Sequence, residues 1–169
     1  MAFYVVCTDV DTGMPVYKRI YEGIGEELLW MRASASLPFV SRPVLVDGRR
    51  LLDGGISDSV PLRFMEGIGY TKNVVVLTRP RGYVKKKSGG AWMRLFLRKE
   101  PYLLDAIEAR ADMYNETLEY ICEKEKRGEV FVIRPREALS VGRMEKDPEK
   151  LRTAYEEGRR AAEEQLEAL

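Results

Sequence analysis

Histidine is absent from the 169 residues, and cysteine occurs only twice. Without an imidazole the chain cannot by itself complete a serine–histidine–acid triad, and zinc sites lose their commonest ligand. Cys7 lies in an apolar run and Cys122 on an apolar helical stripe. Neither has metal-ligand spacing around it, so both read as buried thiols rather than a bridge. No apolar run approaches the roughly 18 residues that cross a bilayer, and the first residues lack the charged-then-apolar order of a secretory leader. Charge of one sign is not in excess. Lys and Arg number 28 against 27 Asp and Glu, so a net charge of +1 supplies no global field toward nucleic acid. Repeats and low-complexity tracts are missing too, and no cofactor or metal is expected. Gly23-Ile24-Gly25 lacks a third glycine and a preceding strand. In a calcium loop opened by Asp9, Asp11 and Gly13, the required glutamate position falls on Ile20. What remains is one domain's length of globular chain, expected to be cytoplasmic and able to associate with a membrane surface.

The elements read as follows. Phe3 to Cys7 is a β-branched and aromatic run expected to be a strand buried on both faces, returning through Asp11-Thr12-Gly13 into a second strand at Met14 to Tyr17. A helix is expected from about Glu26 to Ser34. Val44-Leu45-Val46 and Arg50-Leu51-Leu52 flank Asp47-Gly48, a hairpin signal. After Pro61 a short helix should bury Leu62, Met65 and Phe64, with Asp58 or Ser59 as its cap. Asn73 to Thr78 reads as the clearest buried strand in the sequence. The longest helix should run from Pro101 to about Arg127 and close at Gly128. Val130 to Ile133 follows as a strand, and Asp147-Pro148 opens a final helix burying Leu151, Ala154, Tyr155 and Leu166. Helix followed by strand is the rhythm of a largely parallel sheet with helices on its faces.

The stretch richest in chemistry is Leu51-Leu52-Asp53-Gly54-Gly55-Ile56-Ser57-Asp58-Ser59-Val60-Pro61. A strand here delivers a carboxylate to its carboxyl end, where ligands gather in α/β folds. The two glycines carry no Cβ and let the backbone turn and approach another group closely. Asp-Gly-Gly is also a common turn, and that alternative stands beside the catalytic one. No serine occupies a nucleophile elbow: Gly55-Ile56-Ser57-Asp58-Ser59 comes nearest but lacks the second glycine.

Together with Arg32-Ala33-Ser34-Ala35-Ser36-Leu37-Pro38 and Pro43-Val44-Leu45-Val46-Asp47-Gly48, this stretch resembles the patatin-like phospholipase family. The resemblance continues through Val74 to Pro80, Tyr114-Asn115-Glu116-Thr117, Val132-Ile133-Arg134-Pro135 and Asp147-Pro148-Glu149-Lys150, nearly the whole chain. It implies a three-layer α/β/α fold with a mostly parallel central sheet plus a hairpin, and hydrolysis of lipid or small carboxylic esters by a serine–aspartate dyad. Asp53 matches the dyad acid, with Gly54 and Gly55 shaping its loop and Ser34, Ser36, Pro38 and Asp58 lining the site. The serine elbow and oxyanion loop of the family have no counterpart here. The chain is therefore expected to be the C-terminal half of such a domain, residues 1–169, inactive alone. It departs from the family at Asp58-Ser59-Val60-Pro61, where relatives often show Asp-Asn, and at Ser41-Arg42, where an aromatic residue often precedes the proline.

Between Arg79 and Lys99 every charged side chain is basic, including Lys85, Lys86 and Lys87, and Trp92 adds aromatic surface. Residues 79–100 read either as a flexible insertion whose Lys85, Lys86, Lys87 and Trp92 meet an anionic membrane, or as a solvated loop leading into a packed segment. Two non-hydrolytic roles stay open beside the hydrolase: a lipid- or partner-binding module, and a structural fragment that pairs with copies of itself through an exposed sheet edge. Nucleic acid is not an expected partner, since the basic run has no recognition motif behind it.

Overall fold

The computed structural model describes residues 2–87, 89–142 and 145–167. Ser88, within the 79–100 stretch read above as a flexible insertion, lies outside them. In chain order the elements are β1 (Phe3–Asp9), β2 (Pro15–Ile20), α1 (Glu27–Ser34), β3 (Val44–Val46), β4 (Arg49–Asp53), a single 3₁₀ turn (Gly54–Ile56), α2 (Leu62–Gly67) and β5 (Asn73–Val76). They continue with α3 (Ala91–Phe96), α4 (Pro101–Lys126), β6 (Val130–Ile133) and α5 (Pro148–Leu166). The chain divides into two compact units, Met1–Pro61 with Lys85–Leu118, and Leu62–Val84 with Glu119–Leu169.

The first unit is built on a four-stranded sheet in the order β2-β1-β4-β3, antiparallel throughout. This corrects the expectation of a mostly parallel central sheet. Tight returns can join only antiparallel neighbours, and two of them set this sheet. Between β1 and β2 the Asp9 N–H reaches the Met14 carbonyl at 3.0 Å. Between β3 and β4, Asp47 and Gly48 both adopt left-handed φ, +49° and +71°, as a two-residue hairpin turn requires. The expected hairpin is present with its Asp-Gly turn.

Successive residues of a strand face opposite sides, and β4 uses this to serve two cores. Leu51 joins Val5, Cys7, Ile20, Trp30, Ala33, Val44 and Val46, the cluster to which α1 contributes. Leu52 joins Val10, Ile56, Met93, Leu97, Leu103 and Ile107, the cluster supplied by α3 and the start of α4. Ahead of α1, the Glu27 carboxylate accepts the backbone N–H groups of Tyr21, Glu22 and Gly23 at 3.0, 2.9 and 2.7 Å. These three donors hold its pKa below the ordinary glutamate range. Of the Gly23-Ile24-Gly25 stretch, the Gly23 N–H is thus engaged by a carboxylate of the chain itself.

The second unit contains β5 paired in parallel with β6, from Asn73 opposite Val130 to Val76 opposite Ile133. Expectation and structure part company here on burial. Val75 and Val132 are buried, but Val74 and Val76 are 63% and 69% exposed. Side chains along a strand alternate between its two faces, and only a face with other elements packed over it is buried. The final helix begins as expected, with Asp147 accepting the Glu149 N–H at 3.0 Å and Pro148 in its first turn. Its buried face is different. Leu151, Tyr155 and Leu166 are exposed and Ala161 is buried, while Ala154 is half-buried. The Gln165 amide accepts from Arg134 N at 3.2 Å and donates to Arg134 O at 2.9 Å. That clamp to the end of β6 turns the Ala161–Gln165 side of the helix inward.

The tightest backbone approach is at Gly54. A Cβ built there would overlap the Val6 carbonyl on β1 and lie 2.7 Å from the Val6 Cβ. Gly54→Ala should cost about 1–3 kcal/mol in urea unfolding, the range for overfilling a packed site. Gly142→Ala, where no atom lies within 4 Å, should change stability by under about 0.5 kcal/mol.

Candidate active site around Asp53

Asp53 is the last residue of β4 and caps the 3₁₀ turn that follows. Its position is set from three sides. Its N–H donates to the Ser36 carbonyl at 2.8 Å, and its carbonyl accepts the Thr8 hydroxyl at 2.8 Å. Its strand partner is Cys7. Thr8 is fully buried and has one hydroxyl hydrogen, which goes to Asp53. The Ser57 hydroxyl, 2.8 Å away, therefore donates to Thr8 Oγ1.

The half-buried Asp53 side chain turns back on its own loop. Oδ1 accepts the Gly55 N–H at 2.7 Å. A Cβ at Gly55 would lie 2.9 Å from that oxygen, 3.5 Å from Arg110 Nη2 and 3.7 Å from Ser59 Oγ. The missing side chain is what lets carboxylate, guanidinium and hydroxyl gather around one peptide unit. Arg110 Nε and the Ser59 hydroxyl both donate to the Gly55 carbonyl, at 2.6 and 2.8 Å. Asp58, three residues after Gly55, accepts the Tyr17 hydroxyl at 2.7 Å. Burial, reinforced by the Asp58 hydrogen bond, pushes the Tyr17 phenol well above its ordinary range.

Of the residues singled out in the sequence, Asp53, Gly54, Gly55 and Ser36 come together through these bonds. The Ser36 hydroxyl donates to the Arg32 carbonyl at 2.8 Å, closing the end of α1, where Ser34 is the last helical residue. Pro38 lies elsewhere. It lines an apolar groove of about 430 Å³ with Val10, Phe39, Pro43, Leu52 and Leu97. Leu52 and Asp53 project to opposite faces of the sheet, so the groove and the carboxylate do not share a face. Asp58 and Ser59, read as helix caps, are instead tied to Tyr17 and Gly55. Lys85 is strapped down: its N–H donates to Asn115 Oδ1 at 2.8 Å, its carbonyl accepts from Asn115 Nδ2 at 3.0 Å, and its ammonium sits 4.7 Å above the Tyr114 ring. Lys87 pairs with Asp112 at 2.6 Å, while Lys86 and Trp92 are exposed.

Sequence reasoning missed Arg110, Thr8, Ser57 and Tyr17. Arg110 carried a signal: it sits three residues after Ile107 and one before Ala111, a charge beside an apolar stripe. Thr8 and Tyr17 carried none, because only strand pairing brings them to the loop.

Residues 25–65 match the patatin-like phospholipase family. That segment contains Asp53, Gly54, Gly55, Ser34, Ser36, Pro38 and Asp58. A second family, a domain of unknown function (DUF6363), matches residues 100–169. Each match covers less than half of the chain, and no curated protein matches it. The patatin-like match lies in the N-terminal part of this chain, so the expectation that the chain is only the C-terminal half of such a domain is not borne out. Among the described residues no helix is long and apolar enough to cross a membrane.

Cys7 reports on the site. Burial first, and the nearby Asp53 charge second, raise its thiol from 9.0 to about 12. Below pH 9 neither folded nor unfolded chain releases this proton. Above pH 9 the unfolded chain loses it and the folded chain keeps it, so stability falls as pH rises toward 12, by about 1.4 kcal/mol per pH unit from this group. Urea titrations repeated from pH 9 upward should show a shallower fall in Cys7→Ala than in wild type; identical slopes would contradict the assignment.

Proposed function

We propose that the chain supplies the acid of a serine–aspartate dyad in a patatin-like hydrolase acting on lipid or related carboxylic esters, with Asp53 as that acid. The supporting observation is the setting of this carboxylate. It stands at the carboxyl end of a strand, half-buried, with Oδ1 engaged by the Gly55 N–H at 2.7 Å, inside the segment that matches the family. A freely solvated carboxylate is a weak base for a serine hydroxyl. Fixing it in one orientation places a proton acceptor where a serine hydroxyl can reach it.

In this reading Asp53 Oδ2 takes the proton of a serine hydroxyl as Oγ bonds to the ester carbonyl carbon. The tetrahedral intermediate collapses, the C–O bond to the alcohol breaks, and the proton passes to the departing alkoxide. Asp53 then takes a proton from a water as its oxygen bonds to the acyl carbon. The acyl C–Oγ bond breaks, the proton passes to the serine oxygen, and the carboxylic acid is released. The serine and the oxyanion donors come from a polypeptide segment other than this one. Ser59 and Ser57 are unsuited, because their hydroxyls donate to Gly55 O and Thr8 Oγ1. Arg110, bonded to the Gly55 carbonyl, is a positioning residue that holds the loop carrying the acid.

The purified chain should leave p-nitrophenyl esters at the uncatalysed rate and resist labelling by a fluorophosphonate. Co-expressed with a patatin-like segment carrying the nucleophile elbow, it should yield esterase activity. Asp53→Asn should lower that turnover by about 10²–10⁴ with an unchanged circular dichroism spectrum. Equal turnover in wild type and Asp53→Asn removes Asp53 from the mechanism.

A further inference from the structure

The first unit carries an exposed apolar surface that neither core cluster uses. Phe39 holds a left-handed φ of +68°, an uncommon conformation for a bulky residue. Its ring packs edge-on against Trp92 at 5.1 Å and Phe96 at 5.6 Å. Around these rings Val40 is 75% exposed, Leu95 69%, Phe96 69% and Trp92 60%. The surface is continuous: Trp92, Leu95, Phe96, Arg98 and Lys99 line one depression, and Phe39, Val40, Arg42, Phe96 and Lys99 share in lining the neighbouring groove. Lys85 and Lys87 are held by Asn115, Tyr114 and Asp112, whereas this patch has its own cations.

We infer that this surface is a docking face for an anionic lipid bilayer, with Phe39, Trp92 and Phe96 entering the interface and Arg42, Arg98 and Lys99 meeting the headgroups. Charge selects the occupant. Arg42, Arg98 and Lys99 are exposed, and none has an ion-pair partner among the described residues. The one acid lining either depression is Glu100, which Arg50 holds through two contacts of 2.7 Å. An apolar centre carrying a Trp and rimmed by free cations has the composition of an interfacial membrane contact. A second copy is a poor fit, because a two-fold contact sets each patch against itself and brings the three cations against their equivalents. The inference rests on this surface and does not require Asp53 to be catalytic.

Flotation of the full chain with phosphatidylcholine vesicles, with and without phosphatidylglycerol, tests it. Wild type should float with the anionic vesicles, be released by high salt, and remain at the bottom with phosphatidylcholine alone. Arg98→Gln with Lys99→Gln should lower partitioning onto anionic vesicles about 30-fold, from about fivefold per basic residue. Trp92→Ser with Phe96→Ser should lower it by about tenfold or more, and adding vesicles to wild type should shift Trp92 emission to the blue. Asp53→Asn should float like wild type, which separates this surface from the hydrolase reading. Absence of flotation, equal flotation with neutral vesicles, or double variants that bind like wild type would each overturn the inference. So would a wild-type dimer by light scattering that Trp92→Ser with Phe96→Ser dissociates, since the patch would then serve self-association.

Discussion

The structure of the first unit depends on how closely the end of β4 lies against β1. At Gly54 the two backbones touch where any side chain would collide with the Val6 carbonyl. That contact brings Asp53 opposite Cys7, lets Thr8 bond the Asp53 carbonyl from beneath, and starts the 3₁₀ turn that aims the Asp53 carboxylate at the Gly55 N–H. The Ser36 carbonyl completes the frame from the far end of α1. Each of these bonds is modest alone, about 1 kcal/mol net. Together they leave the carboxylate few conformations, which is the property an acid–base group needs.

Polar groups taken into this unit are compensated locally. Asp9 is buried, and it accepts the Asp11 N–H at 2.9 Å and pairs with Arg49 at 3.1 Å. Arg50 bridges Asp11 and Glu100, and these carboxylates raise its pKa further above its already high range. Arg50 and its partners are partly exposed, so the network contributes little to stability. Its effect is geometric, since it ties the β4 strand to the residue that precedes α4. The second unit has a parallel case in Arg134, nearly buried and paired with Glu125.

Two different families match two different segments, and the compact units do not follow that division. The segment matching the patatin-like family holds α1, the β3–β4 hairpin and the Asp53 loop. The segment matching DUF6363 holds α4, β6 and α5. Arg110, on α4, reaches the Gly55 carbonyl. The loop bearing the candidate acid is therefore completed by a residue from outside the patatin-like match. The apolar groove is lined by Leu52, whose side chain alternates along β4 with that of Asp53.

Local order was legible in the residues. Asp47-Gly48 specified its hairpin because few residue pairs accept two left-handed conformations in a row, and Asp147-Pro148 specified a helix start because capping is a contact between near neighbours. Asp53-Gly54-Gly55 marked a carboxylate at a strand end for the same reason. Long-range placement was not legible. Nothing local shows whether another element packs over a strand's second face, so the exposure of Val74 and Val76 followed from tertiary packing. Nor did the apolar positions of α5 reveal that Gln165 would clamp to Arg134 and present Ala161 inward. The sequence alone determined which residues turn, cap and approach closely, since those properties belong to the backbone of a few consecutive residues. Only the tertiary structure decided that the main sheet is antiparallel, that Thr8 and Arg110 meet the Asp53 loop, and that Phe39 joins Trp92 and Phe96, because each joins residues far apart along the chain.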